Sequence, residues 1–192
     1  MHFFLLPASL RILGWAAAIF GVGGTICSAY IYLVPARPAW NMIHTPLDFL
    51  LTTAFLGSLL ASVADAASRW VERLIHLNFI HFSQTSFNAS LQPALLFAAL
   101  WAFNQVLRRV RLSYSRLFER RASASLLGTE SLQAVFFTSF ALVALAAFFM
   151  FARLDVAALL TGIAGILLTR YLFFVSVVPL NMALTFVRGG RH

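Results

Sequence analysis

An arginine stands in the middle of an apolar run near the end of the chain: Ile166, Leu167, Leu168 and Thr169 precede Arg170, and Tyr171, Leu172, Phe173, Phe174 and Val175 follow it. A guanidinium so placed costs about 3 kcal/mol or more unless it is paired or hydrated. It is too central for its stem to carry the charge easily to water. The chemistry open to it is to hold backbone carbonyls, a carboxylate, a lipid phosphate or the polar head of a ligand. Asn181 follows eleven residues on, three helical turns later and on much the same face of a continuous helix. Tyr171 and Ser176 add hydroxyls nearby. An earlier polar set comprises Arg37, Trp40 and Asn41, in a segment stiffened by Pro35, Pro38 and Pro46, and then Asp48. Thr45 reads as the cap of a helix beginning at Pro46. Asp48 then falls in the first turn, where a carboxylate favours the helix dipole. The alternative role for Asp48 is to exchange a proton with a ligand.

Other chemistries find no support in the residue pattern. A haem in a membrane bundle takes axial ligands from inside it, usually histidines. His2, His44, His76, His81 and His192 all read as ends or loops, so no haem is expected. His76 and His81 are five apart, which does not stack them for a metal. Cys27 is the only cysteine, which leaves no internal disulfide and no iron–sulfur cluster. Gly21, Gly23 and Gly24 lack the lysine of a phosphate loop and read as a surface for close helix approach. No nucleophile–base–acid set and no carboxylate pair falls in one plausible place.

The elements that must position these residues are membrane helices. The 192 residues are 61% hydrophobic and 10% charged, with a mean hydropathy of +0.86. A water-facing surface needs about a quarter of its residues charged, whereas a bilayer core takes about 20 apolar residues per helix. The expected fold is all-α: a polytopic transmembrane helix bundle in one domain, 1–192. About five spans are read, at 10–33, 46–64, 91–107, 131–151 and 156–186, the last kinked at Pro179. A mixed segment, 68–90, with Arg69, Glu72, Arg73 and His76 on one face, reads as an interfacial helix. Tyr30 and Tyr32 suit an interfacial aromatic belt. Met1 to Ala8 carries no basic start, so the first span is expected to remain in the membrane.

All 14 basic residues are arginine, against six acids, giving a net charge of +8. They lie between apolar runs, which argues for topology and anionic lipid rather than nucleic acid. With five crossings, nine arginines fall on one side: Arg37, Arg108, Arg109, Arg111, Arg116, Arg120, Arg121, Arg188 and Arg191. Arg11, Arg69, Arg73 and Arg153 fall on the other. The bias places the N-terminus outside and the C-terminus in the cytoplasm.

Two segments resemble a known family. One is Tyr30-Ile31-Tyr32-Leu33-Val34-Pro35-Ala36-Arg37-Pro38-Ala39-Trp40-Asn41 with Thr45-Pro46-Leu47-Asp48-Phe49. The other is Arg170-Tyr171-Leu172-Phe173-Phe174-Val175-Ser176-Val177-Val178-Pro179-Leu180-Asn181-Met182. Both, in this order, resemble the membrane-anchor subunits of dimethyl sulfoxide reductases, to which sulfite-oxidising complex anchors are related. The chain resembles the C-terminal half, or somewhat more, of these longer proteins. An acidic residue that often precedes the last helix's arginine is replaced here by Ile166 and Leu167, leaving Asp48 or Glu130 as substitutes if packing allows.

The resemblance implies a haem-free anchor holding an iron–sulfur subunit and a molybdopterin catalytic subunit, and exchanging electrons with a quinone or menaquinone pool. Arg37, Trp40, Asn41, Asp48, Arg170 and Asn181 are then the candidate quinone-binding residues. Arg37 and Arg170 would donate to its oxygens, Trp40 would pack on its ring and Asp48 would exchange its proton. No catalytic side chain and no metal ligand is expected. Two other classes remain: a structural anchor without a quinone site, and a small transporter with a buried arginine and a broken helix.

Overall fold

The computed structural model describes residues 8–75 and 87–180, with side chains described for 12–71 and 91–180. Six α-helices make up these residues: α1 (Ala8–Tyr30), α2 (His44–Ile75), α3 (Phe87–Ser113), α4 (Phe118–Leu127), α5 (Glu130–Phe151) and α6 (Asp155–Val175). Four stretches are long and apolar enough to cross a membrane: Ile12–Tyr30, His44–Val71, Glu130–Phe151 and Asp155–Val175. The chain is an all-helical membrane protein. Its surface agrees, since Phe20 is 80% and Ile31 71% exposed, and lipid accepts such side chains where water would not.

The third expected span, α3, is long enough but not one of the four apolar stretches, because Pro93, Asn104, Gln105 and Arg108 interrupt its apolar run. It nevertheless packs lengthwise on α2. The core shared by α2, α3, α5 and α6 holds Phe55, Leu59, Ala98, Trp101, Val143, Ala146 and Ile166. Close approach in this core comes from α6. A Cβ added at Gly165 would stand 3.0 Å from Val143 Cγ2 and 3.1 Å from the Ser139 carbonyl. One at Gly162 would stand 2.6 Å from Leu59 Cδ1. The glycines expected to serve this purpose do not: nothing lies within 4 Å of a Cβ added at Gly21, Gly23 or Gly24. Helix α1 packs beside α2 at the rim of the bundle.

Several boundaries differ from expectation for local reasons. Helix α2 begins at His44, so Thr45 lies inside it, and the Thr45 hydroxyl donates back to the Trp40 carbonyl at 2.6 Å instead of capping. Asp48 consequently sits past the first turn, too deep to serve the dipole. The same helix runs unbroken to Ile75, so the first part of the expected interfacial helix is the end of α2, where Arg69 pairs with Asp65 one turn back. His76 and His81 lie outside the described residues. Helix α6 ends at Val175, and no kink occurs at Pro179. Proline lacks an N–H and disfavours helix in the residue before it, so the chain leaves the helix ahead of it. Asn181, expected on the same face as Arg170, lies outside the described residues, as do Arg188 and Arg191.

Three segments converge at one end of the bundle. The Leu180 amide donates to the Ala36 carbonyl at 2.9 Å, and the Val178 amide to Ser123 Oγ at 3.1 Å. Arg120 donates to the carbonyls of Pro38 (3.0 Å) and Asn41 (3.1 Å). The loop after α1, the short helix α4 and the tail of α6 thus close one face. At the far end Arg153, at φ 60°, makes the tight α5–α6 turn, and Ser62 Oγ donates to Asp155 at the start of α6.

Candidate functional site

Helix periodicity collects the polar residues of the bundle into two facing stripes. On α2, His44, Asp48 and Thr52 recur every fourth residue, and all three are buried. On α3, Trp101, Asn104, Gln105 and Arg108 occupy spacings of three and four and are buried too. Asn104 and His44 form a rung: His44 Nδ1 lies 2.8 Å from Asn104 Oδ1, and Asn104 Nδ2 donates to the His44 carbonyl at 3.3 Å. That pair of contacts fixes the amide orientation and makes Nδ1 the ring's donor. Gln105 Nε2 donates to Asp48 Oδ1 as the next rung.

Arg170 enters from α6 and finds the partner that its own helix lacks. Its Nη1 lies 2.9 Å from Asp48 Oδ2, an ion pair whose angle falls short of a hydrogen bond. Its Nη2 donates to Thr52 Oγ1 at 2.9 Å, and the guanidinium lies 3.9 Å over the Phe49 ring. Asp48 is fully enclosed. Arg108, also buried, lies 4.8 Å over the Phe173 ring, and its Nε has no hydrogen-bond partner. Two guanidiniums and one carboxylate therefore share this seam, which leaves it one positive charge in excess. A cavity of about 20 Å³ beside Gln105, Arg108, Thr169 and Ser176 has room for one water.

The proline-stiffened loop docks beside the seam through aromatics. Trp40 stacks on Phe173 at 5.2 Å and donates its indole N–H to the Phe173 carbonyl at 2.9 Å. Arg37 lies 4.3 Å over the same indole. Tyr32, expected in a belt, packs instead edge-on against Trp40 and Phe173 and stacks on Phe49. Arg37 and Asn41 are exposed, and the Asn41 carbonyl accepts from Arg120.

The structure thus joins Asp48 with Arg170 and sets Arg37 and Trp40 beside them, with Asn41 on the outer rim. Gln105, Arg108, Thr52, Trp101 and the His44–Asn104 pair were not singled out from the sequence. His44 is buried at the start of α2 rather than placed in a loop, so the premise that every histidine lies in an end or a loop does not hold for it. The signal for the α3 residues was present: polar groups at 101, 104, 105 and 108 mark one face of an otherwise apolar helix. Among the described residues no cluster of three or more metal-ligating side chains occurs. Comparison with models of known families, with curated proteins and with solved structures finds no match.

Proposed function

We propose that the chain is the membrane anchor of a molybdopterin oxidoreductase complex in the bacterial inner membrane, passing electrons between the quinone pool and an iron–sulfur subunit. One observation supports this above others. The two segments that resemble dimethyl sulfoxide reductase anchors, more than a hundred residues apart, fold onto each other through Trp40–Phe173, Asp48–Arg170 and Ala36–Leu180. The residues fit a quinone head: an exposed Arg37 over an indole, and behind it a seam with excess positive charge suited to carbonyl oxygens.

A quinol supplies two electrons and two protons, and the protein binds it, orients it and takes the protons. Arg37, exposed over the Trp40 indole, would donate to a ring oxygen. Arg170 and Arg108 hold the electron-rich side. Asp48 would accept one of the two protons, and the other would leave to bulk water. Asn41 belongs to the rim of the site. The arginine-rich end, with α4 and the loop after α1, faces the cytoplasm and docks the iron–sulfur subunit, with the N-terminus outside.

The enclosure of Asp48 favours one rival, a structural anchor in which the ion pair only ties helices together. Quinol-dependent turnover of the purified complex separates the two. Arg170→Leu and Asp48→Asn in assembled complex should lower turnover about tenfold or more. Full turnover in both variants would leave only the structural role.

A further inference from the structure

On the opposite side of the His44–Asn104 rung, away from Arg170, a groove of about 290 Å³ runs between α2 and α3. Its walls are apolar, with Leu47 from α2 and Leu100, Phe103 and Leu107 from α3. The α3 wall extends from Leu100 to Arg111, eleven helical steps, or about 16.5 Å at the helical rise. That is the length of an extended acyl chain rather than of a compact ring.

Among the described residues the groove is polar at the His44–Asn104 rung and at Arg111. His44 is 4% exposed, and with Nδ1–H committed to Asn104 its Nε2 has no hydrogen-bond partner. In the neutral ring that nitrogen is an acceptor, and it calls for a hydroxyl or for a water carried in with a head group. Arg111 closes the end nearest the arginine-rich face of the bundle, and it is exposed. No carboxylate lines the groove among the described residues. A cation at the membrane-surface end of a long apolar slot is complementary to a ligand with an apolar tail and an anionic head. A neutral lipid tail would leave Arg111 unanswered, and a soluble anion would leave the slot unfilled.

We propose that this groove is a specific site for one acyl lipid with an anionic phosphate head, its chain along α3 and its phosphate on Arg111. The site is separate from the Asp48–Arg170 seam, so it stands or falls independently of the quinol reading. The probe is dioleoyl phosphatidylglycerol set against dioleoyl phosphatidylcholine, with retained lipid counted by native mass spectrometry on protein released from neutral detergent.

The wild-type chain should retain one phosphatidylglycerol in preference to phosphatidylcholine. Arg111→Gln should weaken that retention about fivefold, whereas Arg116→Gln, an equal loss of charge outside the groove, should leave it unchanged. Leu107→Trp, which fills the slot, should abolish it, and unchanged helical circular dichroism would show that the fold survives. The proposal is overturned if the wild type shows no preference, if Arg111→Gln and Arg116→Gln behave alike, if glycerol phosphate competes as well as the lipid, or if an uncharged decyl-quinone displaces the lipid at equal concentration.

Discussion

Trp40 carries more of the loop's attachment than its neighbours, because it combines a hydrogen bond with a stacked ring. Trp40→Phe keeps an aromatic against Phe173 and leaves that carbonyl without its donor. It should cost about 1 kcal/mol, read as a small fall in melting temperature in detergent. Trp40→Ala empties the space and should cost about 3–5 kcal/mol. Gln105→Leu should also destabilise, by about 1–3 kcal/mol, since Asp48 Oδ1 is enclosed and would lose its donor. Polar outliers such as Arg170 and Asp48 were legible in the sequence because an ionised group in an apolar run is costly and conspicuous. Their pairing was not, since it depends on how α2 and α6 are rotated against each other. His44 was misplaced because helix α2 begins two residues before Pro46, held by the Thr45 hydroxyl on Trp40, a local bond that proline counting cannot reveal.

At the level of helices, the apolar runs were enough to locate the starts of α1, α2, α5 and α6 within two residues, since length and hydropathy decide a membrane crossing, whereas the far ends of α2 and α6 lie eleven residues from those read. Helix ends were harder. Pro179 stops α6 instead of kinking it, and the segment after α3 contains α4, whose arginine-rich composition reads as loop. Glycine was the least legible of all, because what matters is whether a neighbouring helix faces it. Gly165→Val should destabilise by about 1–3 kcal/mol, as the Ser139 carbonyl and Val143 leave no room beside α6. Gly24→Ala on α1 should leave stability unchanged or raise it, since the position is open. Thermal unfolding of the two variants side by side checks both. An equal loss at Gly24 would mean that a helix packs on that face of α1.

For the whole molecule, the gathering of the loop after α1, α4 and the tail of α6 at one end follows from α3 returning along α2, and it concentrates arginines there. If that end faces the cytoplasm, Arg116→Cys in a Cys27→Ala background should react with an impermeant thiol reagent in inside-out vesicles and not in intact cells. The opposite pattern would invert the proposed orientation. What makes this end one site rather than three adjacent segments is the enclosed charge pair between α2 and α6, and a double-mutant cycle on Asp48→Leu and Arg170→Leu, followed by unfolding in detergent, tests it most directly. Each single change should cost about 3–5 kcal/mol by stranding the partner's charge, and the double variant should recover about 1–3 kcal/mol of the summed loss. Losses that add to within about 0.5 kcal/mol would contradict a pair acting across the two helices.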